Sequence, residues 1–385
     1  MSILSWFKLA MALGGNLAFW FAIFNQIHAT RWPRWVRKLL EKVVYAAVTL
    51  FTIVLVAHAL DWMFVEPPAR IFANLWQWLC WIVLVVIVAR WIWIRFNTRV
   101  PTELIAERRQ LVDIRDELKE PPYAGWQARL LGLFPGNQSL KLSVEHRILE
   151  LSGWPSELDG LVIAHLSDLH FTGKISREYF EKVVEYCNEC GPDIICLTGD
   201  IIDEEFCLDW FPSTLGQLRA RHGKYYVLGN HDLRITDEQK LRQALQVEGF
   251  EPASHSWTPI SIRQTQLYLA GNELPWYFGA ENLTEPPPGT SLVISHSPDQ
   301  IFWARDLGAD LVLAGHCHGG QIRLPWIGAL VAPSRYGVRF ASGTFKIGGT
   351  VMHVSRGISG DDPIRWNCPP ELGVIKINAA SRVQS

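Results

Sequence analysis

Three long apolar runs open the chain, and a different pattern follows them. Leu9 to Ile27 is almost free of charge, Val43 to Leu60 is apolar until Asp61, and Leu75 to Ile94 is Trp-rich with one charge, Arg90. Each approaches the ~20 residues a helix needs to cross a bilayer. No polar face interrupts them, so helices of a water-soluble core fit less well. The second run is short enough for a hairpin or an interfacial helix instead of a span. The first is not read as a cleaved signal, because His28-Ala29-Thr30 leads straight into a basic stretch. The pattern predicts an α-helical transmembrane region over residues 1–100, with spans at 9–27, 43–60 and 75–94.

Beyond it, Pro101 to Glu120 is charged, with an imperfect apolar stripe at Leu104, Ile105, Leu111, Val112, Ile114 and Leu118. That spacing predicts a juxtamembrane helix, stopped by Pro121-Pro122. Tyr123 to Gly136 mixes Trp126, Leu130, Leu131, Leu133 and Phe134 with two arginines, suiting either a membrane surface or packing on the soluble part. Residues 101–139 are thus read as juxtamembrane helix and linker, and 140–385 as the soluble domain. There Leu140, Leu142 and Val144 alternate like a half-buried strand, and Leu161-Val162-Ile163-Ala164 reads as a strand covered on both faces. Further strands are expected at 194–197, 225–228, 267–270, 292–294, 311–314, 351–354 and 374–377, with helices around 179–186, 215–220 and 237–247. Strand–helix alternation, giving way to strands without long helices, predicts an α/β architecture of two face-to-face sheets with helices outside.

Charge adds orientation. The first loop holds Arg31, Arg34, Arg37, Lys38 and Lys42 against Glu41, the second holds Asp61, Glu66 and Arg70, and Arg95, Arg99, Arg108 and Arg109 follow the third run. Basic loops stay cytoplasmic. The expected protein is therefore a multi-pass cell-membrane protein with its N-terminus outside and its soluble domain on the cytoplasmic face. Trp32, Trp35, Trp62, Trp76, Trp78, Trp91 and Trp93 lie near the run ends, where indole favours the interface. A formal charge of -2 speaks against nucleic acid as a partner. Seven cysteines in no disulfide-framework spacing suit a reducing compartment; Cys187 and Cys190 read as two thiols on a helix face.

The candidate chemistry sits where apolar runs end. Asp168-Leu169-His170, Gly199-Asp200, Gly229-Asn230-His231-Asp232, Ser295-His296-Ser297 and Gly315-His316-Cys317-His318 each follow one. Asp, His and Asn from five strand ends point to a two-metal hydrolytic centre holding Mn, Fe or Zn. A carboxylate such as Asp200 suits a bridge between two ions, and the one-residue spacing of Asp168/His170 and His316/His318 places each pair on one face of an extended segment. Asp203 reads as a helix-start or surface carboxylate, Cys317 as a packing residue and His165 as a satisfied sheet histidine.

These motifs, in this order, resemble the calcineurin-like metallophosphoesterases, over about Leu161 to Ile377. The resemblance implies a four-layer αββα sandwich, here preceded by an α-helical transmembrane region. It implies that Asp168, His170, Asp200 and His318 hold one divalent ion and Asp200, Asn230, His296 and His316 the other. His231 matches the histidine that contacts the scissile phosphate and assists the leaving group, with Asp232 orienting it. The contexts around Asp168 and His316 look most like the membrane-linked bacterial phosphodiesterase branch, some of whose members cleave UDP-2,3-diacylglucosamine. After the last motif, Ile322 to Val331 forms an apolar ribbon containing Trp326, and Trp276, Tyr277 and Phe278 add aromatic surface. Arg323, Arg335, Arg339 and Arg356 suit phosphate oxygens. The expected reaction is hydrolysis of a phosphodiester or pyrophosphate by metal-activated hydroxide, on a lipid or lipid-linked phosphate substrate at the lipid bilayer, with Arg323, Trp326 and Arg356 in contact with it. A tethered enzyme for a small soluble diester, such as a cyclic nucleotide, is the alternative. A non-catalytic metal scaffold fits less well, since it needs neither His231 nor Asp232.

Overall fold

The computed structural model describes residues 2–60, 67–97, 100–253 and 256–380. Asp61, Trp62, Glu66, Arg99 and His255 lie outside these. The chain divides into two compact units, Met1–Arg99 with Pro333–Arg339, and Val100–Ala332 with Phe340–Ser385.

The first unit is helical: α1 (Ile3–His28), α2 (Arg34–Ala59) and α3 (Pro67–Asn97). All three are long and apolar enough to span a membrane, their best windows reaching mean hydropathies of 1.5, 2.1 and 2.2. α2 is one continuous helix of 26 residues, so the second run is no hairpin. Inside the bundle, Asn16 Nδ2 donates to Thr52 Oγ1 at 3.1 Å. Arg90 donates to the Tyr336 carbonyl at 3.4 Å, and Gln26 to that of Arg335 at 3.1 Å.

The second unit is built on two stacked sheets. In chain order its strands are β1 (Leu104–Asp113), β2 (Lys141–Leu151), β3 (Leu161–Leu166), β4 (Ile194–Thr198) and β5 (Lys224–Val227). β6 (Phe250–Pro252), β7 (Thr258–Ile262), β8 (Thr265–Asn272), β9 (Thr290–Ser295) and β10 (Leu311–Ala314) follow. The last are β11 (Arg323–Leu324), β12 (Gly328–Ala329), β13 (Gly343–Ile347), β14 (Thr350–Val354) and β15 (Glu371–Ala379). One sheet runs β1-β2-β15-β3-β4-β5-β6 and the other β13-β14-β10-β9-β8-β7, while β11 and β12 make a separate hairpin. The helices are α4 (Trp126–Gly132), α5 (Arg177–Glu189), α6 (Glu238–Val247) and α7 (Ile301–Leu307).

Strand alternation explains the layering. Ile163, Ile194, Cys196 and Val227 point between the sheets, where they meet Leu267, Leu292, Leu311 and Leu313. Their neighbours Ala164, Ile195, Leu197 and Tyr226 point outward, onto Tyr179, Phe180 and Val183 of α5 and Leu241 and Leu245 of α6. Both faces of the central strands are thus buried, as their unbroken apolar runs require.

Two local expectations fail. Residues 104–113 form β1 rather than a helix, pairing antiparallel with β2. β1 is an edge strand whose middle is wholly exposed, so it carries charges instead of alternating apolar residues. Those charges meet β2: Glu107 pairs with Arg147 at 2.8 Å, and Arg109 Nε donates to Ser143 Oγ at 2.7 Å. The helix expected at 215–220 is a single 3-10 turn, Leu215–Gln217.

Candidate metal centre

Every motif residue lies at the carboxyl end of a strand or in the loop it enters, as open α/β sheets place their sites. Asp168 and His170 follow β3, Asp200 follows β4, Asn230 and His231 follow β5, His296 follows β9, and His316 and His318 follow β10. The convergence of Asp168 with His170, and of His316 with His318, is not that of an extended strand. Their φ angles are 50°, 45°, 69° and 49°, and that of Asp200 is 52°. Five non-glycine residues in the left-handed region at one site are strain held by the surroundings. Close backbone approach completes the cage. A Cβ on Gly229 would lie 2.4 Å from Asp200 Oδ1, and one on Gly315 would lie 1.8 Å from Ser167 Oγ.

Asp168, His170, Asp200 and His318 offer ligand atoms within 4.8 Å of one another, as do Asp200, His296 and His316. Asp200 belongs to both groups: its Oδ2 is 3.6 Å from His170 Nε2 and 3.2 Å from His296 Nε2. His170 Nε2 and His318 Nε2 are 3.2 Å apart, and His316 Nδ1 is 3.1 Å from His296 Nε2. Asn230 Oδ1 lies 3.3 Å from His296 Nε2.

The imidazole partners test whether cations fit. His170 Nδ1 faces Asp203 Oδ2 at 2.8 Å, His296 Nδ1 faces the Thr198 carbonyl at 2.8 Å, and His318 Nδ1 faces the Ser359 carbonyl at 3.1 Å. Each acceptor requires an Nδ1–H donor. The neutral ring therefore turns its Nε2 lone pair inward, toward other lone pairs and carboxylates. Such a set is held together only by positive charge. Against burial, Asp203 holds His170 up to about 9 and Asp200 holds His296 up to about 9. Burial, with neighbouring imidazoles, drives His316 and His318 well below the usual imidazole value. The donors present fit divalent ions of the Mn, Fe or Zn kind.

Asp203 is what the sequence reading missed. It is 4% exposed, and its other oxygen, Oδ1, lies 2.5 Å from His231 Nδ1 and pairs with Arg234. Arg234 also reaches Asp361 Oδ2 at 3.0 Å. Burial opposes ionisation of Asp203, but His170 and His231 hold it well below the carboxylate range. His231 Nδ1 thus faces Asp203 rather than Asp232. Asp232 instead accepts from the backbone N–H groups of Ile201 at 2.8 Å, Ile202 at 3.1 Å and Gly229 at 2.7 Å, tying two motif loops together. Burial and then Asp200 push it up to about 7.

The remaining expectations divide. Trp326 stands 92% exposed at the turn of the β11–β12 hairpin. Arg323 donates to Ser342 Oγ at 2.8 Å. Arg356 is turned inward: it pairs with Glu145 and with Glu371 at 3.2 Å, and Nε donates to the Pro369 carbonyl at 3.0 Å. Two buried carboxylates claim this guanidinium, so it makes no clamp for phosphate. Arg335 and Arg339 fall in the segment grouped with the first unit. Trp276 and Tyr277 are buried rather than surface residues; the Trp276 ring centroid is 5.2 Å from that of His296 and 4.8 Å from that of His316. His165 Nε2 lies 2.8 Å from Thr198 Oγ1 between the sheets.

Residues 161–320 match the family model for calcineurin-like phosphoesterases. The chain carries a calcineurin-like metallophosphoesterase domain. Metallophosphoesterase YkuE of Bacillus subtilis is 29% identical over 251 residues, covering 62% of this chain and 86% of that protein. Phosphodiesterase YaeI of Escherichia coli is 28% identical over 224 residues, covering 56% and 81%. UDP-2,3-diacylglucosamine pyrophosphatase LpxG of Chlamydia muridarum is 26% identical over 280 residues, covering 57% and 84%. The matched domain is accordingly that of a hydrolase, and it holds groups of side chains that could bind a metal ion.

Proposed function

We propose that this metallophosphoesterase hydrolyses a phosphodiester or pyrophosphate bond in a lipid or lipid-linked substrate, using two divalent ions in the second unit. The observation that carries the reading is the pair of ligand groups sharing Asp200, with His231 beside them on the Asp203 carboxylate. Asp168, His170, Asp200 and His318 hold one ion; Asp200, Asn230, His296 and His316 hold the other. When bound, the ions supply Lewis acidity and an activated water.

The chain's own groups do the rest. His231 gives its Nδ1–H to Asp203, so its second proton sits on Nε2, and the side chain is 20% exposed. The imidazolium, stabilised by Asp203, donates that proton to the leaving oxygen. Arg234 restrains Asp203 at the same oxygen, Oδ1. The strained Asp168, His170 and Asp200 loops keep the acceptors in place without rearrangement during the reaction.

The three membrane-length helices, the exposed apolar hairpin with Trp326, and the relative named for a diacylated substrate support the lipid-linked class. A UDP-2,3-diacylglucosamine-like molecule is the first candidate. The basic first loop and the arginines after α3 support a cytoplasmic catalytic unit with the N-terminus outside. Trp326 meets an acyl chain in this reading. With full-chain, Mn-loaded protein, Trp326→Ser is expected to slow cleavage of an acylated substrate at least about tenfold, from the roughly 1.5–3 kcal/mol of burying a large apolar side chain. A chromogenic soluble diester should be cleaved as before. Equal slowing of both would remove the acyl contact, and full activity on soluble diesters alone would favour a tethered enzyme for small substrates.

A further inference from the structure

The second unit shows more apolar surface than an acyl contact at Trp326 accounts for. α4 buries Ala128, at 2% exposed, and turns its large side chains outward. Trp126 is 72% exposed, Leu130 62%, Leu133 80% and Phe134, just past the helix, 49%. A helix folded for a core does the reverse. Arg129 is exposed among them. The β11–β12 hairpin displays Trp326 in the same way, at 92%.

One strip of chain joins these two places. Asn137, five residues past α4, donates to the Leu131 carbonyl at 3.0 Å and to the Pro363 carbonyl at 2.8 Å. Three residues on, Trp366 bridges to Ile322, and its carbonyl accepts from Arg323 N–H at 2.9 Å. A Cβ on Gly136 would lie 3.2 Å from the Trp366 indole nitrogen. The loop after α4 and the base of the hairpin thus both meet the segment from Pro363 to Trp366, which links the two exposed apolar sites.

We propose that α4 and the β11–β12 hairpin are a docking surface for a lipid bilayer, seated in its headgroup region. Two observations name the occupant. The same chain carries three helices of membrane-spanning length, so a bilayer is always at hand. The hairpin leads directly into Pro333–Arg339, which packs with those helices: Gln26 Nε2 donates to the Arg335 carbonyl and Arg90 to that of Tyr336. The chemistry agrees, since Trp, Phe and Leu with an adjacent Arg is the composition of surfaces that lie in the interface. The surface does not depend on which substrate is cleaved.

The test uses the full chain in vesicles of phosphatidylethanolamine and phosphatidylglycerol, without substrate. A nitroxide is attached at Leu133→Cys, at Trp326→Cys, or at Val247→Cys at the end of α6, where the native side chain is 81% exposed. The native cysteines are buried apart from half-buried Cys190, so the unsubstituted chain supplies the background. Circular dichroism checks that each variant is folded. Labels at 133 and 326 are expected to collide more with oxygen than with a water-soluble nickel complex, and the label at 247 the reverse. Water access at 133 and 326 equal to that at 247 would overturn the proposal. So would protection from both reagents, the signature of a second copy or another protein covering the face.

Discussion

His231→Ala is expected to lower hydrolysis of a chromogenic phosphodiester by roughly 10²–10⁴, the usual worth of a positioned proton donor. Metal content, measured by elemental mass spectrometry on the full chain, should not change, because His231 contributes no side-chain atom to the group of Asp168, His170, Asp200 and His318 or to that of Asp200, His296 and His316. The companion variant separates two carboxylates. Asp203→Asn is expected to cost about 10–100-fold, the usual range for a carboxylate behind a metal-ligating histidine, here His170. It removes the charge that stabilises the imidazolium, and it also touches His170, whose Nδ1 shares the same carboxylate. Turnover unchanged in His231→Ala would end its role as proton donor. Unchanged turnover in Asp203→Asn would return the orienting role to Asp232, despite its three backbone hydrogen bonds.

Asp200→Ala should have the other large effect: loss of both ions and of all turnover above background. Its Oδ2 stands between His170 Nε2 and His296 Nε2, and its Oδ1 accepts the backbone N–H of His231 at 2.7 Å. Removing it leaves the facing imidazoles without the shared anion. Asp168→Ala, by contrast, should leave the His296–His316 group able to hold one ion, since Asp168 belongs only to the first group. Retention of two ions by Asp200→Ala would show that the two groups do not depend on a common carboxylate.

Most of this site could be read from the chain, because the same forces write the sequence and the fold there. A strand buried on both faces must be continuously apolar, so its polar end stands out, and ligands at such ends converge when the strands lie side by side. Asp203 was harder to see because its importance is not local. Next to Asp200 it looks like a surface carboxylate. It is buried because His170 and His231 arrive from two other loops. One signal was present: the apolar pair Ile201-Ile202 separates it from Asp200, and both are fully buried. β1 was misread for a related reason. An edge strand with charges on its exposed faces has no alternation of apolar and polar residues, and its partners Arg147 and Glu145 are themselves buried charges on β2. Arg356 suits a phosphate by its sequence context alone, since nothing nearby in the chain reveals Glu145 and Glu371, the two carboxylates that claim it.

The place of β15 has a consequence for biosynthesis. This strand lies in the middle of the larger sheet, between β2 and β3, and binds β2 in parallel and β3 antiparallel. Glu371 and Leu151 are separated by 220 positions of the chain. At about 5–20 residues per second of synthesis, that is roughly 10 to 45 s during which β2 and β3 exist without the strand that joins them. The helices of the first unit, made earlier, can already be in the bilayer by then. For that interval the nascent second unit would carry two open strand edges, the exposure that invites pairing with other chains.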